Sequence, residues 1–319
     1  MMTRTLHLIT TKDDEKIAVW KVVDTIEDGM ITNTLENSLP IIKSQNIFLT
    51  HGTFSDKQTC LKIAEYLAAL GHHCYIMEWR GHGDSSMPKE KFNFETVATY
   101  DYEATFRYFF EELKIENLHC ITHSGGGIGL IMFLIQNPRY IDKINSISMF
   151  ACQAYGAASK PISHAKIIAA KIITRLLGFI PARKLKMGAC DESYHTMSQW
   201  YDWNLRRNFK SSFIKQSTFN QASTDTNGVA DELLDYRQQM PNITIPVYAI
   251  SARGDSFISP THGCQMLFDD FKNPANVFRE YALSHGDLDD YTHSRIMISR
   301  NAAKEIWPTV TDWIERHTR

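Results

Sequence analysis

Alternating apolar and polar residues open the chain, at 5–10 (TLHLIT) and 17–23 (IAVWKVV). The polar stretch between them predicts a hairpin turn. Residues 24–45 are polar and irregular, with Gly29 and Pro40. The rhythm then changes. Residues 46–50 (NIFLT) predict a short buried strand, and 58–70 place Leu61, Ala64, Leu67 and Ala68 at helical spacing before Gly71. Strands are predicted over 74–78, 118–122 and 144–150, with helices over 94–113 and 127–136. The pattern returns late, with strand 246–251, helix 262–271, strand 277–283 and a helix over 301–316. Pro308 predicts a kink in that helix or a fresh start. Strands alternating with helices predict an α/β fold, with a mostly parallel twisted sheet flanked by helices.

The stretch 151–240 breaks the βα rhythm. Ile168, Ala169, Ile172, Ile173 and Leu176 fall on one helical face, with Lys171, Thr174 and Arg175 on the other. That stripe predicts a helix packed against the main domain. Trp200, Tyr201, Trp203, Phe209 and Phe213 follow. The division expected is a core of 1–150 and 241–319, with 151–240 a helical cap insertion over a pocket.

Composition narrows the classes. The chain has 319 residues, 43% hydrophobic and 22% charged, and a net charge of −2. It is long enough for a large core without staples, and lacks the basic surplus of a nucleic-acid binder. The six cysteines are scattered with no CxxC pair, so no metal site is expected and small buried side chains are. The first twenty residues lack the apolar core of a signal peptide. The best candidate span, 167–180, is broken by Lys171 and Arg175. A cytoplasmic protein without integral membrane association is expected, its oligomeric state open.

The most informative motif is LHCITHSGGGIG at 118–129. A strand runs into a helix through Ser124, with Gly126 two positions later, as a strained nucleophile elbow requires. Thr122 stands where glycine is usual. The Gly125 N–H, at the helix start, can face a developing oxyanion. A phosphate loop is unsupported, because neither GK[ST] nor GxGxxG is present. The stretch LTHGTFSD at 49–56 ends a strand at His51 and Gly52. Its loop offers a second oxyanion donor, the N–H of Thr53 or, second, of Phe54.

THGTFSD, EWRGHGDSS (78–86), THSGGG and a late acid and histidine together resemble the α/β-hydrolase fold family, serine esterase and acid-lipase-like members included. The resemblance covers both βα blocks and leaves 151–240 poorly matched. It implies a triad in the chain order Ser, acid, His. Ser124 would be the nucleophile. Asp255, in the turn after strand 246–251, would be the acid. Two histidines follow the last strand. His285 lies nearer the strand end, whereas His293 precedes RIMISRNAAKEIWP, which is similar to the segment after the family's histidine. His293 is the preferred base. His123 is expected to pack or bond locally.

The function implied is a serine hydrolase acting on a small-molecule ester with a hydrophobic acyl or alkyl group, without metal or organic cofactor. Thioesterase, lactonase, amidase and acyltransferase chemistry stay open, as does a non-catalytic ligand-binding protein on the same fold.

Overall fold

The computed structural model describes residues 1–25, 44–219 and 232–319. Most of the irregular stretch 24–45, and 220–231 of the insertion, lie outside the described residues.

A polar turn folds β1 (Met2–Thr10) back on β2 (Lys16–Asp24) as the expected antiparallel hairpin. β3 (Asn46–Thr50), α1 (Gln58–Ala69) and β4 (His73–Glu78) follow. Helix α2 (94–112) includes two π-helical stretches, Val97–Tyr102 and Tyr108–Glu112, where one regular helix was expected. Its Tyr102 hydroxyl donates to the Gly126 carbonyl. β5 (Leu118–His123) runs into α3 (Gly125–Gln136), and β6 (Ile144–Phe150) comes next. Helix α3 starts two residues earlier than its apolar pattern suggests, because Gly125 and Gly126 are already helical.

The segment between β6 and the next core strand is not purely helical. It contains α4 (Pro161–Leu177), β7 (Phe179–Ile180), β8 (Glu192–Ser193), α5 (Tyr194–Arg206), β9 (Lys210–Lys215) and β10 (Leu233–Asp235). The strands pair as two small antiparallel ribbons, β7 with β8 and β9 with β10. The apolar stripe of α4 does not pack inward as expected. Ile167 and Thr174 are buried instead, and Ile168, Ile172, Ile173 and Leu176 face outward. Trp200, Tyr201, Trp203 and Phe209 are buried, whereas Phe213 is exposed.

The core resumes with β11 (Val247–Ala252), α6 (Thr261–Phe268), β12 (Val277–Tyr281) and α7 (Arg300–Arg316). Helix α7 passes through Pro308 without a new start. The carbonyl that loses its donor belongs to Lys304, on the exposed side, where water can satisfy it.

All eight core strands form one sheet in the order β1-β2-β4-β3-β5-β6-β11-β12, parallel from β4 to β12. Every residue of β5, β6 and β11 is buried. One face carries a cluster built from α1 and α7, the other a cluster built from α2, α3, α6 and the insertion. The chain steps from β3 out to β4 and returns to β5, so the connections after β3 and β5 leave in opposite directions. A crevice opens between them at the carboxyl ends of the strands.

Candidate active site

Strand register assembles the site. Thr50 pairs with Thr122 across β3 and β5, so Gly52 and Ser124 emerge side by side. Ser124 sits between strand and helix at φ 53°, ψ −125°, a conformation that costs a non-glycine residue about 1–3 kcal/mol. Its N–H donates to the Phe150 carbonyl at 2.9 Å, which anchors the turn to β6. Close packing sustains the strain. A Cβ on Gly126 would lie 2.6 Å from the His51 carbonyl oxygen, so β3 and α3 touch through bare backbone. Thr122, the departure from the usual glycine, is buried with its hydroxyl 3.9 Å from the Cys152 sulfur.

The late residues converge on this turn. The Ser124 hydroxyl donates to His293 Nε2 at 2.9 Å, and His293 Nδ1–H donates to Asp255 Oδ2 at 2.6 Å. Asp255 also accepts the N–H groups of Ile258 and Ser259, each at 3.0 Å. Burial works to raise the Asp255 pKa, but His293 and these two donors outweigh it and hold the carboxyl below the ordinary value. Ser124, Asp255 and His293 are thus brought into one hydrogen-bonded chain. His285 is not part of it. Its ring lies on the surface against Glu280, with Nδ1 3.3 Å from the Glu280 main-chain carbonyl oxygen.

Thr53 and Gly125 both line the small cavity at Ser124, and Phe54 does too. A Cβ on Gly52 would approach Gly125 N to 2.7 Å and Ser124 Cβ to 2.8 Å, so the 51–54 loop lies directly on the elbow. His51 fixes that loop. Its Nδ1–H donates to the Gly52 carbonyl at 2.7 Å and its Nε2 accepts the Trp79 N–H at 3.4 Å. Burial pushes its pKa down to about 3, so it stays neutral.

His123 does more than pack locally. Its Nε2–H donates to the main-chain carbonyl of His293 at 2.8 Å, across 170 positions of chain. Burial lowers its pKa to about 3, which keeps it a neutral donor. It ties the loop carrying His293 to the strand carrying Ser124. Nothing in the local sequence pointed to that partner. Among the described residues, no cluster of three or more His, Cys, Asp or Glu could hold a metal ion.

The family model described as "alpha/beta hydrolase fold" matches residues 46–290. The chain belongs to the α/β-hydrolase fold family. The match spans the elbow and Asp255 and stops just short of His293. Solved structures of this α/β-hydrolase fold align over nearly the whole chain. An esterase from Exiguobacterium antarcticum has a TM-score of 0.62 at 13% identity, covering 97% of this chain and 98% of that one. Alpha/beta hydrolase domain-containing protein 10 from mouse has 0.60 at 14% identity, covering 98% and 100%. A monoacylglycerol lipase from Paleococcus ferrophilus has 0.57 at 18% identity, covering 86% and 95%. At these identities the likeness is one of fold. No curated protein matches the chain by sequence.

In this α/β-hydrolase chain, two cavities meet at the site. The smaller, about 20 Å³, touches Ser124 and Gly125 and is closed by Phe94, Met197 and Trp200. The larger, about 510 Å³, runs past His293 and His123 to Lys62 and the 187–189 loop. Thr53, Phe54 and Ile258 line both and form the partition.

Proposed function

We propose that this chain is a serine hydrolase that cleaves carboxylic esters, with Ser124 as nucleophile, His293 as base and Asp255 as its orienting anion. The observation supporting this most strongly is the continuous hydrogen-bonded chain from the Ser124 hydroxyl to Asp255 at the sheet's switch point. His293 Nε2 takes the hydroxyl proton as the oxygen attacks the ester carbonyl carbon. The carbonyl π pair moves onto oxygen, where the N–H groups of Gly125 and Thr53 receive it. One such donor contributes about 2.7–4 kcal/mol to the transition state. Collapse expels the alkoxide, which takes the proton from His293. Water then enters and gives a proton to the same ring as its oxygen bonds to the acyl carbon; collapse breaks the bond to Ser124, whose oxygen takes that proton back as the acid leaves.

The two cavities give the substrate a direction. The leaving oxygen must collect its proton from His293, so the alcohol half belongs on the His293 side, in the larger space. The acyl half belongs beside Ser124 and Gly125. A space of about 20 Å³ holds roughly one water-sized group. We therefore favour short acyl groups, acetyl first, on a larger and mainly apolar alcohol. Residues 151–240 act as the cap, because Met197 and Trp200 close the acyl side.

The test is hydrolysis of a p-nitrophenyl ester series from acetate to octanoate. Wild type is expected to favour acetate, with rate falling as the chain lengthens, and Ser124→Ala is expected to abolish turnover. No hydrolysis of any member would favour a ligand-binding protein on this fold.

A further inference from the structure

Helix α4 meets the rest of the protein along a narrow strip. Ile167 and Thr174 are its buried residues, and Lys171 pairs with Asp202 of α5 at 2.7 Å. The opposite side is apolar and uncovered. Ile162 is 71% exposed, Ile172 55% and Leu176 82%, and Ile168 and Ile173 complete the face. At the helical period these five project away from Ile167. The exposed surface continues into Leu177, Phe179 and Leu185. Monomers in water rarely present so long a contiguous apolar ridge.

The surrounding charge is one-sided. Residues 156–190 hold seven Lys or Arg and no Asp or Glu, in a chain whose net charge is −2. Lys166 and Arg175 stand on opposite flanks of the apolar face, and Lys160, Lys184 and Lys186 lie at its ends, all exposed. Lys171 and Arg183 are the cations of this stretch paired with acids among the described residues. A second copy of this face would set cations against cations. A flat anionic, apolar-cored surface complements it, because the ridge is convex and long cationic side chains can reach sideways to headgroups.

We propose that the outward face of α4, with residues 177–187, docks the protein peripherally on an anionic phospholipid membrane. The apolar residues enter the boundary between headgroups and acyl chains, and the flanking cations pair with the lipid charges. The same segment leads into Met187, Gly188 and Ala189, which line the larger cavity beside His293. The inference rests on the surface and not on the ester reaction.

Flotation of the full chain with vesicles tests it. Phosphatidylcholine vesicles, with and without phosphatidylserine, are compared at low and high salt. Binding is expected with phosphatidylserine, weakening with salt, and absent with phosphatidylcholine alone. Ile172→Asp with Leu176→Asp is expected to abolish it. Each of Lys166→Gln and Arg175→Gln is expected to weaken it about fivefold. All variants should melt like wild type and hydrolyse a soluble acetate ester at its rate. Failure of wild type to float with phosphatidylserine vesicles would overturn the proposal, as would binding indifferent to both sets of substitutions. A stable dimer that Ile172→Asp with Leu176→Asp dissociates would overturn it too, by assigning the face to a second copy.

Discussion

Gly52 is where a single carbon atom is expected to separate the two halves of the proposed oxyanion site. In Gly52→Ala, the added Cβ would fall 2.7 Å from Gly125 N, 2.8 Å from Ser124 Cβ and 3.1 Å from the His123 carbonyl oxygen. None of these atoms is the free end of a flexible side chain. Ordinary contact begins near 3.4 Å, so the 51–54 loop must retreat by about 0.7 Å. A donor needs to sit about 2.7–3.1 Å from the oxyanion, and such a retreat takes the Thr53 N–H out of that range. Loss of one donor costs about 2.7–4 kcal/mol in the transition state, or about 10²–10³ in kcat. Overpacking itself costs about 1–3 kcal/mol of stability. Steady-state hydrolysis of p-nitrophenyl acetate, with a melting curve on the same sample, separates the two effects. A folded Gly52→Ala protein whose kcat stays within about threefold of wild type would refute the assignment of this loop as a donor.

Other substitutions probe other parts of the site. His293→Ala is expected to lower kcat/KM by about 10⁴, and His285→Ala to leave it near wild type; the reverse ranking, read by the same assay, would move the base. Trp200→Ala opens the acyl cavity and is expected to shift the preferred ester from acetate towards butyrate or hexanoate. An unchanged chain-length profile would mean that Trp200 does not set it. His82 and Glu192 form a buried pair at 3.1 Å that joins the segment after β4 to the insertion. Burial opposes the charged ring, but Glu192 and the Arg80 carbonyl outweigh it and raise the His82 pKa. A raised folded-state value makes the pair's contribution complete below the ordinary 6.5 and erodes it as pH rises through the folded-state value. Glu192→Gln should therefore lower the melting temperature more at about pH 6 than at about pH 9. An equal loss at both would show that the ring does not change charge between them, against this reading.

The middle of the sheet was legible because its strands are buried on both faces. Runs such as 118–123 and 144–150 carry no Lys, Arg, Asp or Glu, and their alternation with helices leaves few topologies. Ser124 and Asp255 were accessible for the same reason, since each follows the end of a core strand. Choosing between His285 and His293 was harder, because both lie in a loop whose path depends on packing. What brings His293 to Ser124 includes the His123 bond to its carbonyl, a contact with no local pattern. The insertion was misjudged where periodicity alone was used. An apolar stripe reports a face that avoids water, but not which surface covers it, and α4 turns its stripe outward. The ribbons β7–β8 and β9–β10 were missed because β7, β8 and β10 have only two or three residues, too few to show a period. Pro308 broke no helix, because the carbonyl it leaves unpaired belongs to a residue on the wet side of α7.

The proposed chemistry passes through one covalent bond, between the Ser124 oxygen and an acyl carbon, and a phosphonate trapped on the same oxygen can be weighed. The purified chain is mixed with a fluorophosphonate, digested, and mapped by mass spectrometry. The expected result is a single adduct on the peptide that contains Ser124, absent from Ser124→Ala and strongly slowed in His293→Ala. An unlabelled wild-type chain, or an adduct on any other residue, would contradict it.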